Sequence, residues 1–180
     1  KYVILFFFLT GFIFAQPSQS TEEQILEAID QKQKLINSSR VKNIDFKNIG
    51  PSVMSGRVVD ISVNPDDPTE FYAAFATGGL WHTKDNGISF NSIFDNSVTQ
   101  NIGEIEIHWP TRTIWVGTGE NNSSRSSYSG VGILKSTNNG DTWENKGLSD
   151  SHHIGKILVN PDDPNHVIVG VTGHLYSENN

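Results

Sequence analysis

The feature that most constrains this chain is a six-residue phrase that occurs twice. Val63-Asn64-Pro65-Asp66-Asp67-Pro68 returns as Val159-Asn160-Pro161-Asp162-Asp163-Pro164, 96 positions later. Between the two, Ile107-His108-Trp109-Pro110 holds the matching place with a shortened turn. The interval therefore contains two units of about 48 residues each, near the length of a four-stranded repeat. Each phrase is a turn with a physical cause. Proline fixes φ, and the short Asp side chains bond the neighbouring backbone.

A second element repeats inside the units. Ser136-Thr137-Asn138-Asn139-Gly140-Asp141-Thr142-Trp143 has a diverged copy, Thr83-Lys84-Asp85-Asn86-Gly87-Ile88-Ser89-Phe90, 53 positions earlier. Around these turns, short β-type runs alternate with Gly, Asn, Asp and Pro clusters. Residues 58–63, 71–75, 80–83 and 89–94 make one set. Residues 105–108, 113–117, 132–136 and 142–146 make a second, and 157–159 and 167–171 begin a third. A four-stranded unit cannot cover both of its faces alone, and units of this size close around an axis in groups of about four to eight. The expected fold is all-β, a β-propeller of four-stranded antiparallel blades, of which this chain carries about two and a half.

The start of the chain is different. Lys1 is followed by an almost wholly apolar run over residues 3–14 and a small residue, Ala15, before Gln16. That run is too short to span a bilayer comfortably, and it has the order of charges and apolar residues of an export signal. Residues 20–36 read as one helix, with Thr21 and Gln24 placed as a capping box and Glu22 and Glu23 at the positive end of its dipole. The expected organisation is a signal peptide over 1–15, a helical leader over 16–45, and a partial propeller over 46–180. Its blades run over about 46–100, 101–149 and 150–180, the last incomplete.

Composition removes several classes of function. The net charge is −7, so the basic footprint of a nucleic-acid binder is missing. There is no cysteine, which removes disulfides, thiolate catalysis and cysteine zinc sites from this segment. No phosphate-cradling glycine loop joins a strand to a helix, and no cofactor is expected. The chain reads as exported to the cell surface or beyond, without a stable membrane anchor in this segment.

The two Ser/Thr-x-Asp/Asn-x-Gly-x-Ser/Thr-aromatic turns resemble the Asp-box, or BNR repeat. In that resemblance Asp85, Gly87 and Phe90 in one copy, and Ser136, Asn138, Gly140, Thr142 and Trp143 in the other, are structural. Asn48-Ile49-Gly50-Pro51, Ser55-Gly56-Arg57-Val58, Gly78-Gly79-Leu80-Trp81, Gly117-Thr118-Gly119-Glu120-Asn121-Asn122 and Asp150-Ser151-His152-His153-Ile154-Gly155 extend it. From residue 46 onward the chain looks like the secreted bacterial BNR propellers related to the sortilin (Vps10) luminal domain, which are often labelled glycosyl hydrolases. The xyloglucanase-type propellers carry a catalytic Asp two residues before a Gly-Gly pair. Here the pair is Gly78-Gly79, and the matching residue is Ala76. The Arg-Ile-Pro motif of sialidases does not occur.

Propeller geometry sorts the loops onto two ends. The end that usually meets ligands would gather residues 55–57, 76–79, 100–104, 118–130, 150–155 and 173–174. The candidates there are Arg57, Glu104, Glu120, Asn121, Arg125, His152, His153 and His174. The long polar loop 120–130 suits a binding element on a rigid scaffold. Arg57 is expected to pair with a neighbouring carboxylate such as Glu104. His152-His153 with Asp150, Glu120 and His174 raises a metal reading. Adjacent histidines point to opposite sides, so at most one faces any given site. Loop hydrogen bonding is the simpler explanation, and no metal is assigned. The leading function is binding of an extracellular protein, peptide or glycan at this end. The alternative is hydrolysis of an extracellular polysaccharide, which needs two carboxylates about 5 to 9.5 Å apart, with Glu120 as the best candidate for one of them. Whether the protein is an enzyme stays open at this point.

Overall fold

The computed structural model describes residues 20–44, 46, 54, 56–125 and 127–175. The export segment, the Asn48-Ile49-Gly50-Pro51 motif and Ser55 lie outside them. Helix α1 (Glu22–Ser38) carries the capping box read from the sequence. Thr21 Oγ1 accepts from the Gln24 amide at 3.3 Å, and Gln24 Oε1 accepts from the Thr21 amide at 3.0 Å. The helix buries none of its residues. It is tied to the rest by Lys32 Nζ, which donates to the Ser97 carbonyl at 3.0 Å. Among the described residues no helix is long and apolar enough to cross a membrane.

The remainder is β-sheet. Strands β1 (Val58–Val63), β2 (Phe71–Phe75), β3 (Gly79–Thr83) and β4 (Asn91–Ser92) form one four-stranded antiparallel sheet in sequence order. Strands β5 (Ile102–His108), β6 (Thr113–Thr118), β7 (Ile133–Ser136) and β8 (Glu144–Asn145) form a second with the same order. Strands β9 (Ile154–Asn160) and β10 (Asp163–Val171) form a hairpin. The first strands β1, β5 and β9 lie side by side, so the three sheets are stacked in chain order.

Packing follows the strand period of two. Ile114 and Val116 of β6 face the first sheet, in a buried cluster with Tyr72, Leu80, Phe94 and Ile105. Trp115, between them, faces the hairpin in a second cluster with Ile133, Ile154 and Ile157. β6 is therefore buried at every position. Fully burying each such aliphatic or aromatic side chain is worth about 1.5–3 kcal/mol, so these two layers carry much of the stability. Gly117 lets the hairpin come close, since a Cβ there would lie 2.4 Å from Ile154 Cγ2.

Polar contacts lock one sheet to the next. Asp60 Oδ2 accepts from the Ile105 amide at 3.1 Å, and Trp109 Nε1 donates to Ser62 Oγ at 3.2 Å. Trp115 Nε1 donates to the Pro164 carbonyl at 2.9 Å. The two aligned hairpin turns share one hydrogen-bond cage. Asp85 Oδ1 accepts from Thr83 Oγ1 and the Ser89 amide, and Asn138 Oδ1 accepts from Ser136 Oγ and the Thr142 amide. In both, two consecutive residues adopt positive φ: Asn86 and Gly87 at 58° and 83°, Asn139 and Gly140 at 56° and 88°. The outer strands β4 and β8 are two residues long, shorter than expected over 89–94 and 142–146. There the side-chain cages, not ladder bonds, hold the chain.

The two Asn-Pro-Asp-Asp-Pro phrases both join a first strand to a second, but not in the same way. After β1 the chain loops out from Asn64 to Glu70, whose backbone atoms bond at 3.0 Å. After β9 it turns tightly, with Asn160 paired to Asp163.

Candidate functional site

The loops gathered at one end of the sheets are knitted together by backbone bonds. The Ala76 amide donates to the Arg57 carbonyl at 2.9 Å, and the Gly119 amide to the Asn101 carbonyl at 3.0 Å. The Gly130 amide donates to the His152 carbonyl at 2.7 Å, and the Ile154 amide to the Gly119 carbonyl at 3.2 Å. Residues 57, 76, 101, 119–130 and 152–154 thus share one end, as the strand order requires. Gly119 makes this approach possible. It has φ of 84°, and a Cβ there would lie 1.8 Å from the His152 carbonyl oxygen.

Glu120 sits at the centre of this end and is fully buried. Its Oε2 accepts from an Arg57 guanidinium nitrogen at 2.7 Å and from the Ser127 hydroxyl. Its Oε1 accepts from the Asn122 amide at 3.0 Å. The carboxylate is therefore surrounded by donors within its own loop and from the first sheet. Buried charges persist when paired and hydrogen-bonded in this manner. The Glu120 backbone carbonyl accepts from His153 Nδ1 at 2.9 Å, which fixes that ring's tautomer. Burial pushes the pKa of His153 down, so its ring is neutral at pH 7.

The expected partner of Arg57 is thus corrected from Glu104 to Glu120. The reason is a bulge. The register of β5 against β6 shifts between Ile102 and Glu104, and Glu104 turns into the space between sheets, where it meets Lys156. Burial raises the pKa of Glu104, with only partial offset from Lys156. Asn121 packs against Gly155, where a Cβ would lie 2.1 Å from its amide nitrogen. Arg125 stands exposed on the loop. Beside it is Tyr128, 57% exposed, which the sequence reading did not single out although it is the one aromatic residue of loop 120–130. Ala76 is buried, with its amide and carbonyl bonded to Arg57 and Ile102.

The adjacent histidines part company. His153 turns to Glu120, whereas His152 lies against His174, ring centroids 3.9 Å apart, with Asp150 beside both. Burial is the main cause of a lowered His152 pKa, followed by the neighbouring His174 ring.

At the other end of the sheets stands a cluster that the sequence reading missed. Glu70 is buried and receives Arg112 in a bidentate pair at 2.7 and 2.8 Å. Asn64 Nδ2 and His82 Nε2 complete its shell at 2.9 Å each. The Arg112 hydrogen bonds hold the Glu70 carboxyl down to about 2, against the opposing effect of burial. Burial holds His82 neutral even beside Glu70, and its ring stacks on Tyr72 at 4.2 Å. This group joins the turn after β1 to the turn after β5 and lies away from the loop end.

No family model matches the sequence, and no curated protein matches it. Among solved structures, the chain is similar to an ancestral GH74 enzyme, with a TM-score of 0.49 and 16% identity over 63% of this chain. It is also similar to a GH74 enzyme of Niastella koreensis, with a TM-score of 0.48 and 16% identity over 62% of this chain. The chain spans 16% of the length of each of those two proteins.

Proposed function

We propose that this chain is part of an exported Asp-box β-propeller that binds an extracellular protein, peptide or glycan through its loop end. The stacked sheets with adjacent first strands, and the matching cages at Asp85 and Asn138, support the propeller reading. The apolar run behind Lys1 supports export. One observation carries the choice of binding over hydrolysis: the carboxylate of Glu120 is fully buried and already receives Arg57, Ser127 and the Asn122 amide. A glycosidase carboxylate must reach a glycosidic bond, and this one is committed to holding a loop. The same bonds stiffen loop 119–130, which presents Tyr128 and Arg125 outward. A preorganised loop loses less freedom on binding, and an exposed aromatic gives contact area for a sugar ring or a peptide side chain.

The test is a glycan array and a peptide panel probed with the chain, with reducing-sugar release measured in parallel. The expected result is binding without release, weakened at least tenfold by Tyr128→Ala, an exposed substitution that leaves the loop bonds intact. Sugar release that disappears in Glu120→Gln would overturn the binding reading in favour of the hydrolase.

A further inference from the structure

Asp150, His152 and His174 offer one oxygen and two ring nitrogens that all lie within 4.8 Å of one another. They come from a single 3-10 turn (Ser149–Ser151) with the residue after it, and from the segment following β10. Asp150 Oδ1 is 3.8 Å from His152 Nε2 and 3.7 Å from His174 Nε2. Both distances are too long for hydrogen bonds. They are close to what a metal needs. A tetrahedral ion with bonds of about 2.0–2.1 Å holds its donors about 3.3 Å apart, so a contraction of about half an ångström brings the Asp150 oxygen to bonding separation from each ring nitrogen.

Two further observations set this cluster apart from ordinary loop packing. His152 Nε2 is buried and has no hydrogen-bond partner, and such an atom costs stability unless something satisfies it. In addition, the backbone of His152 lies at φ 55° and ψ −45°. A non-glycine residue in that region costs on the order of 1–3 kcal/mol, and strain of this kind collects at ligand sites. Here it turns the His152 ring toward Asp150 and His174 and away from the Glu120 loop that holds His153. His174 Nε2 meets the Asp150 carbonyl at 3.3 Å, a long contact that a metal bond can replace. The Asp150 side chain is 62% exposed, so the fourth direction opens to water.

We propose that Asp150, His152 and His174 form a binding site for a divalent transition-metal ion of the zinc type, with three protein ligands and one position for water. Two imidazoles and one carboxylate suit zinc and its first-row neighbours, whereas magnesium and calcium prefer all-oxygen sets. The site stands beside the loop end but shares no side chain with the Glu120 cluster, so it does not depend on the binding reading above.

The experiment is calorimetric titration of the chelator-treated chain with zinc chloride, repeated with magnesium chloride. Saturable binding of one zinc per chain is expected, with no comparable magnesium binding. Asp150→Asn, an exposed change that leaves the packing of both rings in place, is expected to weaken zinc at least tenfold, and His174→Ala at least as much. His166→Ala, on an exposed histidine of β10, leaves the affinity unchanged. Circular dichroism of each metal-free variant separates loss of a ligand from loss of the fold, and Asp150→Asn carries the decision if His174→Ala does not fold. Absence of saturable zinc binding by the parent chain, or an affinity that Asp150→Asn leaves intact, overturns the proposal.

Discussion

Glu70 and Glu120 are both buried, both paired to an arginine, and stand at opposite ends of the sheets. Their surroundings differ. Glu70 receives a bidentate guanidinium, an amide side chain and an imidazole, all from folded turns and strands of two sheets. Glu120 receives one guanidinium nitrogen, and its other donors come from the loop that it begins. The first carboxylate joins sheets together. The second shapes one loop and holds it to the first sheet. A buried acid is thus no guide to chemistry until its donors are known: at one end the donors make a structural clamp, at the other they set the form of a surface.

The comparison breaks most visibly at Arg112. Removing one partner of a buried pair leaves an uncompensated charge, which costs about 3–5 kcal/mol. Arg112 is 48% exposed and water can partly replace it, so Arg112→Ala is expected near the lower figure, read as a lowered midpoint in urea unfolding. The pH dependence comes next. With the folded Glu70 near 2 and the unfolded one near 4.5, its contribution is complete above about pH 4.5. It is lost as pH falls from there toward 2, on the order of 3 kcal/mol in all. Neutral His82 acts in the same direction, because it must take a proton when the chain unfolds in acid. In Glu70→Gln the part of the stability curve between pH 4.5 and 2 should flatten; an unchanged acid limb would place the sensitivity elsewhere. The smallest effect belongs to the other end. Arg57 is 42% exposed, and Glu120 keeps the Ser127 and Asn122 donors without it. Arg57→Ala should cost about 1–2 kcal/mol and show chiefly as faster proteolysis within loop 119–130. A cost equal to that of Arg112→Ala would erase the distinction between clamp and loop former.

What could be read in advance follows from where the interactions run. The helix cap at Thr21 and Gln24, the strand runs and the paired turns at Asp85 and Asn138 are local, and a few neighbouring residues determine them. The strand ends shifted where the cause was not local. β5 begins at Ile102 rather than 105 because the Ile102 amide finds the Ala76 carbonyl, across a turn of the preceding sheet. Glu70 and Arg112 are 42 positions apart and belong to different sheets, and no spacing rule links them. Arg57 reached past Glu104 because one bulge reversed a side chain. The histidine pair shows the mixed case. Alternation indicates that His152 and His153 diverge, but only the return of the chain after β10 brings His174 to one of them.

The burial of β6 on both sides has a consequence for how the stack comes apart. Trp115 is claimed by the hairpin, while Ile114 and Val116 are claimed by the first sheet, so the central strand has no free flank from which to peel. Val58, Ile61 and Val63 on β1, and Leu158 and Ile168 on the hairpin, still show apolar surface. Unravelling therefore works inward from the two outer layers, and the middle sheet is the last to let go.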